Sequence, residues 1–281
     1  MPELPEVETI KNQLKEKIIG KTIKGIEVKL GKMIKGLTSQ EFISRVRGTK
    51  VKDVIRRAKL LIIHLENGDS LVIHLKLTGQ IIYKDKKENI SAPGEEQKYT
   101  HLIYYFSDGS ILLHNDLRQF GFVKLIRTPD LEDFFKKEKF GPEPLEKNFS
   151  AFKFKELLRK KEKQKIKPLL MDQSFIAGVG NVYANETCFC AGVLPTKTVK
   201  NLTDEKIEKI YHCLINILRE AIKYKGTSTD SYVDAYGRKG EYLSKLKVYG
   251  HEGEKCRGCQ GRVKRIALGG RGTFYCPNCQ K

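Results

Sequence analysis

The sequence predicts an α+β protein with a β-rich N-terminal part, a helical middle part and a cysteine-rich end. Short β-branched and aromatic runs, separated by turn pairs such as Asn67-Gly68 and Asp108-Gly109, fill residues 22 to 127. This pattern is typical of antiparallel strands in a sandwich or barrel. Apolar residues then recur at helical spacing as far as Lys223. Two Cys-x2-Cys pairs close the chain.

A helix is predicted at the N-terminus, where the chain opens Met1-Pro2-Glu3-Leu4-Pro5-Glu6-Val7-Glu8-Thr9. Pro5 suits a first helical turn, and apolar residues then recur every three or four positions. Removal of Met1 would leave Pro2 with a secondary amine. An α-amino group has a pKa of about 8, so roughly a tenth of it is neutral and nucleophilic at pH 7.

The same helix gives the amine a suitable environment. The positive end of a helix dipole lowers the pKa of a nearby amine. Glu3 and Glu6 lie close enough in sequence to move protons. Pro2, Glu3 and Glu6 are therefore candidate catalytic residues. The alternative is an ordinary helix with an acidic first turn.

Four helices are predicted after the Gly141-Pro142-Glu143-Pro144 connection. They cover residues 152–161, 166–171, 182–191 and 204–223, with Thr203 as the cap of the last. We expect a β domain at 1–128, a helical domain at 129–225, a loop and connector at 226–253 and a cysteine module at 254–281.

The formal net charge of +19 over 281 residues points to a polyanionic partner. Nucleic acid is the first candidate, and a solvated lysine surface is the alternative. A membrane partner is less favoured because the chain has no apolar run of about 18 residues and no signal segment. We therefore expect an intracellular protein that acts on nucleic acid.

The cysteines fall into two groups. The spacing Cys256-x2-Cys259-x16-Cys276-x2-Cys279 predicts one structural zinc held by four thiolates, in a module too short to fold without the metal. Three further cysteines lie in apolar stretches and are expected to be small core residues rather than part of a disulfide framework. They are Cys188, Cys190 and Cys213.

Three further motifs suit contact with DNA. Gly178-Val179-Gly180-Asn181 precedes a helix, whose N–H groups and Asn181 amide can bind phosphate, although a tight turn is the alternative. Arg271 lies among glycines that let backbone approach a phosphate. The segments 74–79 and 116–121 carry Leu77, Arg118 and Phe120. A protein that opens a duplex needs an apolar wedge, which Leu77 and Phe120 can supply, and a donor to a base edge, which Arg118 can supply. Core packing is the alternative for Leu77 and Phe120.

Together these motifs resemble formamidopyrimidine-DNA glycosylase, the bacterial family that repairs oxidised guanine. The resemblance spans the chain in order, through Pro-Glu-Leu-Pro-Glu-Val-Glu-Thr, Arg-Gln-Phe-Gly, Gly-Val-Gly-Asn-Val-Tyr-Ala and the four-cysteine finger. It implies an N-terminal antiparallel β-sandwich, a helix-two-turn-helix domain and a C-terminal zinc-finger hairpin. It also implies a bifunctional glycosylase and AP lyase that binds damaged double-stranded DNA as a cytoplasmic monomer, with zinc as its one cofactor.

The resemblance also assigns roles to individual residues. Pro2 would attack C1′ of the damaged nucleotide, Glu3 would shuttle protons and Glu6 would support the site. Arg118 and Phe120, with Leu77, would fill the gap left by the extruded base. Lys59, near the lesion's phosphate, and Arg271 are further residues expected in the catalytic site. The residues expected to contact DNA, Arg271 again among them, are His101, Lys167, Asn181 and Arg271.

This chain departs from the family pattern in three places. Leu77 stands where methionine is usual, and His251 stands where a basic residue is common. The loop Thr227–Tyr232 follows the lesion-capping pattern only loosely. Two rival functions remain open from the residues: an endonuclease VIII-type glycosylase for oxidised pyrimidines, and a zinc-finger DNA-binding protein without catalysis.

Overall fold

The chain divides into two units, and the first contains two stacked β-sheets. The computed structural model describes residues 1–86 and 98–281. The first unit contains residues 1–138 and 224–243, and the second contains residues 139–223 and 244–281. One sheet has the strand order β1-β7-β8-β6, and the other has the order β2-β9-β5-β4-β3. Their strands are Ile23–Val28 (β1), Ile34–Lys35 (β2), Val51–Arg57 (β3), Leu60–Leu65 (β4), Asp69–His74 (β5), Gly79–Lys84 (β6), Thr100–Phe106 (β7), Ile111–Asp116 (β8) and Phe122–Arg127 (β9).

The predicted sandwich is confirmed, because side chains from both sheets meet in one buried core. All pairs are antiparallel except β2 with β9. The predicted N-terminal helix is α1, Leu4–Ile18, which packs on β3 and β4. Its apolar face is fully buried and consists of Leu4, Val7, Ile10, Leu14 and Ile18.

Two helices of this unit were not predicted. Helix α2, Ser39–Val46, begins at a capping box in which Thr38 and Glu41 bond reciprocally. The spacing of those two residues is a recognisable start signal, but the helix is short. Helix α3, Leu131–Lys137, buries only Leu131. So small an apolar face leaves little helical periodicity to detect.

The second unit contains the four predicted helices and the cysteine module. The helices are Ala151–Arg159 (α4), Ile166–Met171 (α5), Asn181–Ala191 (α6) and Asp204–Lys223 (α7). Thr203 caps the last through a 3.3 Å bond from the Lys206 amide to its hydroxyl. The strands Lys264–Leu268 (β10) and Arg271–Tyr275 (β11) form the hairpin of the module. None of the helices among the described residues combines the length and hydropathy that a membrane crossing needs.

The prediction of small core residues is confirmed for Cys188 and Cys213, which are buried, and wrong for Cys190; the expectation that none of the three forms a disulfide was wrong for Cys190 and Cys213. Cys188 is buried and free, and burial raises the pKa of its thiol to about 12. Cys190 is exposed, and it forms a disulfide with Cys213 across α6 and α7, with a Cα–Cα distance of 5.9 Å. Packing of two helices brings these cysteines together, and spacing along the chain does not reveal it.

The core of the sandwich holds a neutral histidine. His114 on β8 is fully buried, and neither ring nitrogen has a hydrogen-bond partner among the described residues. Burial lowers the pKa of His114 to about 4. Because this value lies below the ordinary value of about 6.5, protonation favours the unfolded chain, and stability falls as the pH falls below 6.5.

We expect the substitution His114→Leu to flatten this pH dependence. Because His114 is protonated more readily in the unfolded chain, the free energy of unfolding should fall by about 2 kcal/mol from pH 7 to pH 5. Leucine does not bind a proton, so this fall should be absent from the variant. Amide hydrogen exchange of β8 and β7 at the two pH values measures the difference. His212→Leu, at an exposed site on α7, serves as the control and should leave the exchange of these strands unchanged. Equal pH dependence in His114→Leu and the parent would contradict the assignment.

Candidate active site

The first residues of the chain are fixed inside the first unit. Pro2 is buried, and Glu3, the N-cap of α1, is only 2% exposed. Met1 is 39% exposed, so the residue that must be removed to free the Pro2 nitrogen lies at the surface. Once freed, that nitrogen adjoins the N-terminal end of a 15-residue helix. The helix dipole there disfavours a positive charge and so favours the neutral amine.

Glu6 ties this helix start to a distant segment. One carboxylate oxygen accepts the Glu3 amide at 2.8 Å, and the other accepts the Thr227 amide at 2.8 Å. Gly226 has a φ of +82°, and a Cβ atom there would lie 2.8 Å from Glu6 Oε1. The carboxylate is 2% exposed. Glu6 therefore holds the N-terminus and the 226–232 segment in one arrangement.

Lys59 lies in the two-residue turn between β3 and β4, next to Ala58, whose φ is +52°. Arg56 holds this turn against α1, because its guanidinium donates to the Ala58 carbonyl at 2.9 Å and to Glu8 at 2.8 Å. Lys59 is 7% exposed. Burial, with the positive charges of Lys76 and Lys59, lowers the pKa of His74 to about 3. The His74 ring is therefore neutral, and the positive charge of the site resides on the lysines.

The predicted wedge residues lie on two exposed turns. We name the turn between β5 and β6, residues 75–78, the Leu77 turn, and the turn between β8 and β9, residues 117–121, the Arg118 turn. Phe120 is 54% exposed and stacks on the Arg118 guanidinium, whose carbon lies 5.0 Å from the ring centre. Leu77 is half-buried. The alternative of core packing is therefore wrong for Phe120.

The 226–232 segment is bonded to the Leu77 turn and its strand. The Gln80 amide nitrogen donates to the Ser231 carbonyl at 2.6 Å, and the Ser231 hydroxyl donates to the Leu77 carbonyl at 3.4 Å. Tyr232 is buried, which raises the pKa of its hydroxyl well above the usual value, with Glu6 and Asp234 adding to the shift. Gln80 was not predicted as a site residue because a single glutamine in a strand carries no sequence signal.

His101, predicted as a DNA contact, is 7% exposed. Its Nε2 lies 2.8 Å from the carbonyl oxygen of Asp116 and donates to it. In the structure His101 thus supports the residue from which the Arg118 turn begins. Direct contact with DNA stays a prediction.

In the second unit, Lys167 and Asn181 meet at the hairpin. The buried Lys167 ammonium on α5 donates to the Asn181 side-chain oxygen at 2.6 Å and to the Thr273 hydroxyl at 2.7 Å. The Asn181 amide nitrogen donates to the Gly272 carbonyl at 3.1 Å. These bonds join α5, α6 and β11. Phosphate contact by Lys167 and Asn181 stays a prediction.

Arg271 begins β11 and is exposed. It lines a groove of about 450 Å³ together with Arg265 and Glu252. Arg265 Nη1 lies 3.6 Å from a Glu252 carboxylate oxygen, so Arg271 is the guanidinium of this groove that best suits an anion. His251 does not line this groove, and its Nδ1 lies 2.8 Å from Glu254 Oε2.

The four cysteines of the hairpin module form a zinc site. Their sulfur atoms lie within 4.8 Å of one another, with Cys256 to Cys279 at 3.8 Å and Cys259 to Cys276 at 3.6 Å. A tetrahedral zinc with Zn–S bonds of about 2.3 Å requires sulfur separations of about 3.8 Å. The amides of Gly258 and Gly261 each donate to a sulfur at 3.3 Å, which favours thiolate. The site holds one structural zinc, and four thiolates leave it no open position.

Family models match three parts of the chain. They are the formamidopyrimidine-DNA glycosylase N-terminal domain at residues 1–123, the formamidopyrimidine-DNA glycosylase H2TH domain at 140–233, and the zinc finger found in FPG and IleRS at 253–281.

Curated relatives and solved structures agree with these models. The formamidopyrimidine-DNA glycosylase of Heliobacterium modesticaldum is 42% identical over 281 residues, covering 100% of both chains. The structure of a Lactococcus lactis FPG mutant in complex with a Fapy-dG containing DNA superposes with a TM-score of 0.91 at 36% identity, covering 100% of both chains. The Lactococcus lactis Fpg complex with an abasic site containing DNA has a TM-score of 0.91 at 36% identity, covering 99% of both chains.

We expect the substitution Cys256→Ser to release the zinc and unfold the hairpin module, because metal binding supplies the folding free energy of so short a segment. Metal analysis should fall from one zinc per chain to none, and amides of β10 and β11 should lose their protection from hydrogen exchange. Amides of β4 and β5 should stay protected. Cys188→Ala removes a buried cysteine outside the cluster and should keep the zinc. Full zinc content in Cys256→Ser would contradict the four-thiolate assignment.

Proposed function

This chain belongs to the formamidopyrimidine-DNA glycosylase family of DNA-repair enzymes, which combine glycosylase and AP lyase activity, and we propose that its substrates are oxidised purines in duplex DNA. They are 8-oxoguanine and the formamidopyrimidines. The observation that carries the proposal is the start of α1. There a proline in the second position adjoins a buried glutamate at the helix N-terminus.

The chemistry follows from that arrangement. The Pro2 nitrogen, freed by removal of Met1, attacks C1′ as the glycosidic bond breaks, and the base leaves with a proton. The C1′–O4′ bond then breaks, O4′ takes up a proton, and the opened sugar is left as an iminium of Pro2. This iminium acidifies the sugar's α-protons, so β-elimination expels the 3′ phosphate and δ-elimination expels the 5′ phosphate. Glu3 carries protons between these steps, and Glu6 holds Pro2 and Glu3 in place.

A damaged base inside a duplex must first leave the stack, at a cost of a few kcal/mol. We assign this step to the two exposed turns. Leu77 and Phe120 occupy the vacated space, and the Arg118 guanidinium donates to the edge of the base opposite the lesion. A cytosine edge accepts these hydrogen bonds better than an adenine edge, so Arg118 favours lesions paired with cytosine.

Binding of the strand depends on positive side chains in both units. Lys59 in the first unit and Arg271 in the second are proposed to contact phosphate, with Asn181 and Lys167 supporting the second site. The net charge of +19 supports such contacts. We further propose that the protein works as a monomer in the bacterial cytoplasm, where its DNA substrate lies.

The two rival functions have less support. The Heliobacterium modesticaldum relative, at 42% identity, carries the formamidopyrimidine-DNA glycosylase name rather than that of an endonuclease VIII-type enzyme. A DNA-binding protein without catalysis has no need for an N-terminal proline that is freed by removal of Met1.

We expect Pro2→Gly to lose excision of 8-oxoguanine, because a primary amine replaces the secondary one. Glu3→Gln should slow excision roughly a hundredfold or more, the usual contribution of a positioned acid or base. Single-turnover rates on 8-oxoguanine paired with cytosine measure both effects. Pro5→Ala changes a nearby proline in the first turn of α1 that has no free amine, and it should stay active. Intact mass must show that Met1 is absent from every protein compared. Normal excision by Pro2→Gly would contradict the proposal.

We expect Arg271→Ala and Lys59→Ala each to lower the salt dependence of DNA binding. The slope of log Kd against log salt should fall by about 0.9 for each phosphate that the variant no longer neutralises. Titration of a lesion-containing duplex at several salt concentrations measures the slope. Lys137→Ala removes an exposed charge at the end of α3 and should leave the slope unchanged. Lys167 is unsuitable for this test, since its removal also breaks bonds inside the second unit. Unchanged slopes in both variants would show that neither residue binds phosphate.

A further inference from the structure

The Leu77 turn and the Arg118 turn lie side by side in the sandwich. Both pass from one sheet to the other. Strand β5 pairs with β9, placing His74 opposite Phe122, and β6 pairs with β8, placing Gly79 opposite Asp116. The strand residues that flank the two turns are therefore paired with each other in the two sheets.

The carboxylate of Asp116 lies between the turns. It is fully buried. One oxygen accepts the Thr78 hydroxyl at 2.5 Å and the Arg118 amide at 3.2 Å, and the other accepts the Gly121 amide at 2.6 Å. A Cβ atom on Gly121 would lie 2.9 Å from this second oxygen, so the Arg118 turn closes tightly around the carboxylate.

Thr78 is the residue that joins the turns. Its hydroxyl donates to Asp116 and accepts the Arg118 amide at 2.9 Å. A side chain of the Leu77 turn thus bonds directly to the backbone of the residue that we propose reads the opposite base. Lys76 and Gln119 have φ values of +51° and +58°. A backbone with positive φ is strained for residues other than glycine, and it persists only when surrounding contacts hold it.

We propose that Thr78 is a positioning residue that couples the two turns, so that Leu77 and Arg118 enter the duplex in one fixed arrangement. The proposal rests on the proposed function, because it concerns how Arg118 is presented to the opposite base. Thr78 itself does not touch the reacting atoms. It sets the preference for cytosine opposite the lesion by fixing the backbone of Arg118.

The variant Thr78→Val tests the coupling, because valine keeps the shape and removes the hydroxyl. Single-turnover excision of 8-oxoguanine paired with cytosine and with adenine gives the preference. We expect this preference to fall roughly two- to tenfold, the value of one hydrogen bond. Cleavage of a preformed abasic site should be unchanged. In the Arg118→Ala background, Thr78→Val should change the preference no further.

Two comparisons separate positioning from general destabilisation. Thr78→Ser restores the hydroxyl and should restore the preference. Thr128→Val is the matched control, because Thr128 is also half-buried and its hydroxyl lies 2.8 Å from that of Ser70, and it should behave as the parent. An unchanged preference in Thr78→Val, or an equal reduction of abasic-site cleavage, would overturn the proposal.

A second readout needs no catalysis. In the protein without DNA, the Arg118 amide should exchange its hydrogen faster in Thr78→Val than in the parent or Thr78→Ser. Unchanged exchange would overturn the coupling even in an active enzyme. If the parent protein does not excise 8-oxoguanine, the proposed function fails, while the exchange measurement still decides whether Thr78 holds the turn.

Discussion

The rest of the proposed site depends on the hydrogen bonds that the buried Glu6 carboxylate accepts. The nucleophile is the end of the chain, and chain ends are poorly ordered unless they are tied down. Glu6 supplies that tie by accepting the amides of Glu3 and Thr227. Hydrogen bonds to a charged group contribute roughly 1.5–3 kcal/mol each, which is enough to hold the first turn of α1 in one conformation. The same carboxylate fixes the beginning of the 226–232 segment, which in turn bonds to the Leu77 turn. Nucleophile, segment and wedge are thus linked within one unit.

Strand register supplies the second constraint. Because β5 pairs with β9 and β6 pairs with β8, two turns that are distant in sequence lie side by side. Both turns connect strands that pack around the largely apolar core of the sandwich, and this packing fixes the two ends of each turn. In the second unit, a buried side chain and a metal site fix the hairpin. The buried Lys167 ammonium donates to Asn181 and to Thr273 of β11 and so joins α5 and α6 to the hairpin, and the four cysteines hold the hairpin through zinc. In both units, hydrogen bonds to the backbone or to neighbouring residues therefore fix the segments that carry Arg118 and Arg271.

Features that are local in sequence could be predicted, and features made by distant contacts could not. The spacing of Val7, Ile10 and Leu14 predicted α1, and the cysteine spacing predicted the zinc site. The Glu6–Thr227 bond joins residues 221 positions apart, and no local pattern reveals it.

Exposure of Phe120 could not be decided from its type, since an apolar residue in a turn can equally well pack in the core. The Cys190–Cys213 bond was missed for the same reason, because the packing of α6 on α7 creates it. The residues themselves indicated Pro2 as a nucleophile and Arg118 as a base-edge donor. The family resemblance added that Pro2 attacks C1′ and that Arg118 fills the gap left by the extruded base.

The central claim is that the chain's own N-terminal amine attacks the sugar. Borohydride reduction of the protein on DNA containing 8-oxoguanine, followed by digestion and mass spectrometry of the cross-linked peptide, tests it most directly. Reduction converts an iminium into a stable amine, which marks the attacking nitrogen. The account predicts a DNA adduct on the peptide that begins at Pro2, with Met1 absent. An adduct on a lysine such as Lys59, or no adduct on a substrate that is excised, would contradict it.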